Sequence, residues 1–409
     1  MKSTKNNNTA MVGDLSSTPK ANRLHIGFFG RRNSGKSSLI NAFTNQNVSI
    51  VSDVAGTTTD PVYKAMEIHG LGACVIIDTA GFDDVGALGE IRVEKTRLAA
   101  QRTDIAVITF YEDDCTEELY WAEYFKKKKT PIVPVVTKSD LAENKLDLIK
   151  KIKSKLNQYP LVVSSKTGQG VLTLKDTLIR LMPEDFEAES IFGSLITQED
   201  LVLLVMPQDT QAPKGRLILP QVQSIRELLD RKCIVTCVTA DKLEQALDCL
   251  KNPPKLIVTD SQVFELVYKK KPKESLLTSF SILFAAYKGD IHRYIQGVKA
   301  IDQLTEASKV LIAECCTHAP LTEDIGREKI PRFLRKKVGS GLTVDVVSGT
   351  DYPEDLTGYD LIIQCGACMF NRKYVLSRID RAYQQGVPIT NYGVTLAYLN
   401  GILDKISLT

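Results

Sequence analysis

Leu24-His25-Ile26-Gly27-Phe28-Phe29 runs directly into Gly30-Arg31-Arg32-Asn33-Ser34-Gly35-Lys36-Ser37, and this junction decides the fold. The first six residues form a short apolar run, as expected of a buried strand. The next eight fit the spacing G-x-x-x-x-G-K-S/T, and Ser38 to Phe43 can continue as a helix. Gly30 and Gly35 let the backbone wrap an anion with no Cβ in the way. Asn33, Ser34 and Ser38 fill out the loop, whose N–H groups join the helix N-terminus in supplying positive potential. Lys36 is placed to reach the β- and γ-phosphates of a nucleotide, and the Ser37 hydroxyl to bind Mg²⁺.

Three more motifs follow in order, each after an apolar run of strand length. Asp78-Thr79-Ala80-Gly81 follows Ala73–Ile77; Asp78 would hold Mg²⁺ through water and Gly81 would set its N–H at the γ-phosphate. Thr137-Lys138-Ser139-Asp140 follows Ile132–Val136. Asp140 can accept from both N1–H and N2–H₂ of guanine, a donor pair that adenine lacks. Ser164-Ser165-Lys166 would offer a backbone N–H to guanine O6. Open α/β sheets bind ligands at the C-terminal ends of their strands, where all four motifs fall. A GTP-binding P-loop domain is therefore expected over 23–183, with catalysis resting on Lys36, Gly81 and a switch threonine.

The rest of the 409 residues must hold further domains. With 43% hydrophobic and 25% charged residues, the composition is that of an ordinary soluble chain, and a net charge of +3 gives no support to a broad nucleic-acid surface. The longest apolar run, Leu201 to Met206, falls far short of the ~20 residues of a membrane span. Residues 1–22 are polar, without an apolar signal core, and read as a disordered tail. A cytoplasmic, reducing location is the expectation, with free or metal-bound thiols. The basic run Lys126 to Lys129 reads as a solvated helix end.

Strands and helices alternate throughout, so the fold class is α/β from end to end. Asp185 to Asp200 reads as a linker. A small α/β segment, 190–272, carries no motif of its own. A third α/β segment, 276–409, is expected to have strands at Ser281–Ala285, Val310–Ala313, Leu342–Val347 and Leu361–Gln364. Two of these lead into cysteines: Glu314-Cys315-Cys316-Thr317-His318, and Cys365-Gly366-Ala367-Cys368. Both groups should emerge on one sheet edge, with Cys316 and His318 on one side of an extended segment. Three readings of the cysteines stand: a Cys₃His zinc site, an iron–sulfur cluster with one weak or open position, or unrelated buried thiols. The wide separation of the pairs favours the cluster.

The GTP-binding motifs resemble those of the bacterial translation and tRNA-modification GTPases. Asp53-Val54-Ala55-Gly56-Thr57-Thr58-Thr59-Asp60 looks like their first switch, which would give Thr58 a place in the Mg²⁺ shell. Asn33 matches an asparagine that helps bind K⁺ in the tRNA-modification members; tolerance of the loop conformation explains it equally well. Two residues depart from the common pattern. Thr137 stands where the base motif usually begins with Asn, which is expected to loosen the base pocket without changing its guanine preference. Phe82 stands where Ras-type proteins carry a water-orienting glutamine and cannot position water by hydrogen bonding, so hydrolysis by the domain alone is expected to be slow.

A GTPase joined to C-x-H and C-x-x-C resembles the GTPase maturases of [FeFe]-hydrogenase. The likeness extends through Asp324-Ile325-Gly326-Arg327, Lys329-Ile330-Pro331-Arg332, Met369-Phe370-Asn371-Arg372 and Pro388-Ile389-Thr390-Asn391-Tyr392-Gly393-Val394. The resemblance implies a [4Fe–4S] cluster on Cys316, Cys365 and Cys368, with Cys315 as a neighbour and His318 as fourth ligand or hydrogen-bond donor. Gln364 stands where many members have histidine, and glutamine is a poor iron ligand. It further implies homodimerisation through 190–272, a transient di-iron precursor as cargo, and two radical-enzyme maturases and apo-[FeFe]-hydrogenase as partners. The alternative is an RNA-modification or ribosome-assembly GTPase with a C-terminal zinc or iron–sulfur site; nucleic acid and membrane are disfavoured as partners.

Overall fold

In a computed structural model of the chain, the described residues are 22–45, 61–81, 87–141, 145–182, 190–206, 217–315, 324–367 and 370–408, with backbone only for 87–92. Thr58, Phe82, Cys316, His318, Cys368 and residues 1–21 lie outside them. The chain divides into two compact units, Met1–Phe186 and Glu187–Thr409.

The first unit is built on a six-stranded sheet. Its strands are β1 Leu24–Phe29, β2 Val62–Ile68, β3 Gly72–Asp78, β4 Ile105–Phe110, β5 Ile132–Val136 and β6 Leu161–Val162, in the order β2-β3-β1-β4-β5-β6. Only β2 runs antiparallel, pairing Val62 with Asp78 and Ile68 with Gly72. Every residue of β1, β4 and β5 is buried, as expected of parallel strands covered on both faces. Leu24, Ile26 and Phe28 face a core with Leu39, Ile40, Leu174 and Leu178, from the helices Lys36–Thr44 and Val171–Leu181. Phe29 and Ile108 face the opposite core, with Trp121 and Phe125 of the helix Thr116–Lys127 and Ile152 of the helix Leu146–Leu156. Lys126 and Lys127 form the last turn of helix Thr116–Lys127, where cations complement the helix dipole. β1 lies between β3 and β4, so the connections diverge at its C-terminal end and open a crevice there.

The second unit holds two four-stranded sheets, all parallel. The strands β7 Leu201–Val205, β8 Ile234–Val238, β9 Leu256–Thr259 and β10 Leu276–Ser279 are ordered β10-β9-β7-β8. The strands β11 Lys309–Ala313, β12 Thr343–Val347, β13 Leu361–Gln364 and β14 Ile389–Asn391 are ordered β12-β11-β13-β14. The expected strand at Ser281–Ala285 is instead part of the helix Phe280–Lys288, capped by Ser279, whose hydroxyl accepts from Ile282 N–H. The run is apolar on every side because the helix lies between two cores. Phe280, Leu283 and Phe284 pack into one, and Ile282 and Ala285 into the other. Residues 190–200 are no free linker: Ile191, Phe192, Leu195 and Ile196 are buried against Val202 and Leu204 of β7. Among the described residues, no helix is long and apolar enough to cross a membrane.

Candidate functional sites at two sheet edges

Beyond β1 the backbone turns sharply through Gly30 (φ 156°), Asn33 (φ 56°) and Gly35 (φ 86°). A Cβ on Gly30 would sit 2.1 Å from Thr109 Oγ1, so only glycine fits there. Asn33 occupies the left-handed region that asparagine tolerates best, which accounts for its presence on conformational grounds. Ser34 Oγ and Thr109 Oγ1 share a buried hydrogen bond of 2.7 Å. Lys36, only 7% exposed, donates to the carbonyls of Gly30 (2.8 Å) and Arg31 (2.7 Å). Its ammonium thus lies folded along the loop that would receive phosphate.

Ser37 Oγ donates to Asp78 Oδ2 at 2.9 Å, which brings together the two groups assigned to Mg²⁺. Gly81 is buried beyond the end of β3. The Thr137 hydroxyl donates to the Ser34 carbonyl at 2.6 Å. It ties the base motif to the phosphate loop. Ser164 Oγ donates to Asp140 Oδ1 at 2.7 Å, and this bond is the main reason the Asp140 carboxyl is held below its usual range. Ser164 N–H donates to the Gln169 carbonyl at 3.0 Å, so a contact to guanine O6 falls to Ser165 or Lys166. Lys138 reaches over the Tyr111 ring at 4.1 Å. Ser38 lies in the first turn of helix Lys36–Thr44.

Sequence motifs did not point to Thr109, Tyr111 or the anchoring of Arg31. Arg31 pairs with Asp114 at 3.0 Å and with the buried Glu118 at 3.4 Å, fastening the phosphate loop to the segment after β4.

In the second unit, Val347, Ala313, Gln364 and Asn391 lie side by side across β12, β11, β13 and β14. The next residues, Ser348, Glu314, Cys365 and Tyr392, therefore line one edge. Cys315 N–H donates to Cys365 Sγ at 3.1 Å; Cys315 is buried and Cys365 partly exposed. Ala367 takes φ 54°, in the left-handed region. Asn371 then caps the helix Arg372–Gln384 by accepting from Tyr374 N–H. Gln364 is buried, and its amide donates to the Tyr294 hydroxyl.

Glu314 is gripped by Arg327 through Nη2 (2.8 Å) and Nε (3.1 Å), and accepts from Ser348 Oγ at 3.1 Å. Asp324 accepts from the N–H groups of Gly326 and Arg327, both at 2.8 Å. Burial, then the neighbouring Cys365 and Glu314, pushes the Tyr392 phenol far above its usual range. Among the described residues no three His, Cys, Asp or Glu side chains are grouped to hold a metal. Cys365 is the one assigned cluster ligand among them, and its edge position, its partial exposure and the N–H supplied by Cys315 suit a thiolate ligand. Sequence reasoning quotes the stretches that hold Glu314, Arg327 and Tyr392 but gives these residues no role, because only the pairing of β14 with β13 brings Tyr392 to this edge.

Nucleotide-type loop, Mg²⁺ pair and guanine motif on a mostly parallel sheet define a P-loop GTPase domain, and residues 25–138 match the family described as a 50S ribosome-binding GTPase. The tRNA modification GTPase MnmE of Endomicrobium trichonymphae is 34% identical over 168 residues, 39% of this chain and 35% of that protein. GTPase Der of Mycoplasmopsis agalactiae is 31% identical over 197 residues, 43% of this chain and 44% of that protein. The chain thus spans less than half the length of these curated relatives. Among solved structures, Aquifex aeolicus Era bound to GDP and aluminium fluoride aligns at 19% identity and a TM-score of 0.36, covering 62% of this chain and 99% of that one. Residues 191–289 match the hydrogen maturase F dimerization domain, and residues 292–408 its tetramerization domain. The chain belongs to the hydrogen maturase F family.

Proposed function

We propose that this GTPase hydrogenase maturase is a scaffold that binds GTP at one sheet edge, carries a [4Fe–4S] cluster at another, and delivers a di-iron precursor to apo-[FeFe]-hydrogenase. The observation that carries the cluster assignment is the Cys365 sulfur at the C-terminal edge of β13, accepting the Cys315 N–H in a chain of this family. Cys316 and Cys368 would complete the ligand set, with His318 as fourth ligand or hydrogen-bond donor. When bound, the cluster supplies exchangeable iron coordination at an open position. The di-iron unit is cargo, received from radical-enzyme maturases. Segments 190–272 and 276–409 would carry dimerisation and cluster binding respectively, in the cytoplasm.

At the nucleotide edge, Ser37 and Asp78 would exchange their mutual bond for Mg²⁺, joined by Thr58. Lys36 would leave the Gly30 and Arg31 carbonyls for the phosphates, and Gly81 N–H would meet the γ-phosphate. Asp140 would read guanine, with Ser165 or Lys166 on O6. Hydrolysis would be slow, with K⁺ beside Asn33 neutralising transition-state charge, so that GTP serves as a switch on partner contacts.

The test is activation of apo-[FeFe]-hydrogenase by the protein purified after co-expression with the radical maturases. Wild type should activate it and Cys365→Ser should not. Equal activation by both would overturn the proposal, and binding to tRNA or ribosomes in its place would favour an RNA-linked GTPase.

A further inference from the structure

Tyr111 stands one residue beyond β4, partly exposed, and two lysine ammonium groups converge on its ring. Lys138 Nζ lies 4.1 Å from the ring centroid and Lys145 Nζ 3.9 Å. Both are well within the ~6 Å at which a cation is drawn to an aromatic face. Burial, and then the charge of Lys138, pulls the Lys145 ammonium below its usual range, so the two cations are held close against their repulsion. Such crowding calls for a compensating group, and the ring supplies one.

Strand register brings the parts together. Phe110, the last residue of β4, pairs with Val136, the last of β5, so Tyr111 and the base motif leave the sheet side by side. Lys145 also donates to the carbonyls of Tyr111 (3.0 Å) and Thr137 (3.4 Å), pinning one to the other. Lys138 has φ 53°, a left-handed conformation that lysine rarely adopts and that its surroundings must hold. Its stem then passes the phosphate loop: a Cβ on Gly35, the residue before helix Lys36–Thr44, would lie 3.8 Å from Lys138 Cε. The side chain thus runs beside Gly35 and ends on Tyr111, its far end fixed by the ring.

We propose that Tyr111 is a positioning residue of the guanine pocket: its ring anchors the Lys138 ammonium and so sets the apolar lysine stem as a wall beside the base whose edge Asp140 reads. This deepens the GTP-binding reading above and rests on it. Tyr111 acts through Lys138 and need not touch the nucleotide. Without the ring, Lys138 would regain rotamer freedom, and nucleotide binding would have to reorder it.

The experiment uses the full chain as wild type, Tyr111→Phe, Tyr111→Leu, Lys138→Met and the double variant Tyr111→Leu/Lys138→Met. Read-outs are GDP affinity by titration calorimetry, GDP release by stopped flow, KM and kcat for GTP, and the melting temperature of the nucleotide-free protein. Tyr111→Leu should weaken GDP binding about fivefold through faster release, a loss of the size a partly exposed cation–π contact supports. The loss should fall on KM for GTP rather than on kcat. Tyr111→Phe keeps the ring and should stay within about twofold of wild type. On the Lys138→Met background the cation is already gone, so Tyr111→Leu should have no further effect on affinity. A loss of equal size on both backgrounds would overturn the proposal, as would unchanged GDP release in Tyr111→Leu or a loss in Tyr111→Phe as large as in Tyr111→Leu. Tyr111→Met serves the same comparison if the melting temperature shows that Tyr111→Leu does not fold. Wild type that binds no GDP would overturn the guanine reading itself and this proposal with it.

Discussion

Both sheet edges stand at the C-terminal ends of parallel strands, yet they are provisioned in opposite ways. At the nucleotide edge the polar groups are paired with one another: Ser37 with Asp78, Lys36 with two loop carbonyls, Thr137 with Ser34, Ser164 with Asp140. A ligand there must displace internal bonds, and in return meets groups already in place. At the cysteine edge a soft sulfur and a buried phenol share the rim with Glu314, whose Oε2 is held by Arg327 and Ser348. The first edge suits a ligand that comes and goes; the second suits a resident group.

The largest expected effect tests the first half of that contrast. Lys36→Ala should lower GTP turnover by at least about a hundredfold, as removal of one pre-aimed electrostatic donor does. Single-turnover hydrolysis measures it, and a cysteine edge that works independently would leave iron content unchanged. Asp140→Asn replaces an ionised acceptor by an amide and should weaken GTP binding by about 3 kcal/mol, roughly a hundredfold. Xanthosine triphosphate, which presents a carbonyl where guanine presents its amine, should recover affinity in that variant; failure to do so would remove Asp140 from the base pocket.

Thr137→Val keeps the shape but leaves the Ser34 carbonyl without its donor. It should cost about 1–3 kcal/mol and lower the melting temperature by a few degrees, while a neutral outcome would show that the tie between the two loops is dispensable. K⁺ in place of Na⁺ should raise the hydrolysis rate, and equal rates would leave Asn33 with only its conformational role. The smallest effect concerns pH. The Ser164 hydroxyl holds the folded-state pKa of Asp140 below the ordinary 3.8, so its ionised form is present above that value and is lost only as pH falls through the lowered one. GDP affinity should therefore be flat between pH 7 and 5, and a decline in that window would mean that another group titrates in the pocket.

Legibility in the sequence followed the range of the interactions. β1, β4, β5 and β13 are fully buried strands whose apolar runs have the same bounds as the strands themselves. β2 is half-exposed and antiparallel, and β14 is only three residues long, so neither shows as a run. The segment after Ser279 reads as a strand in the sequence because a helix packed on two sides is as apolar as a buried strand. The phosphate loop and guanine motif are local, each a few residues that dictate their own geometry. Glu314 and Tyr392 reach one edge only through strand register, and Arg327 joins them from the turn Ile325–Lys329, which no short motif records.

The most direct test of the account is the iron, acid-labile sulfide and zinc content of the anaerobically prepared chain, compared with Cys316→Ser, Cys365→Ser and Cys368→Ser. The account predicts about four irons and four sulfides per chain, a reduced [4Fe–4S] EPR signal, and loss of that signal in each variant. One zinc per chain without sulfide would contradict it and return the cysteine edge to a structural metal site.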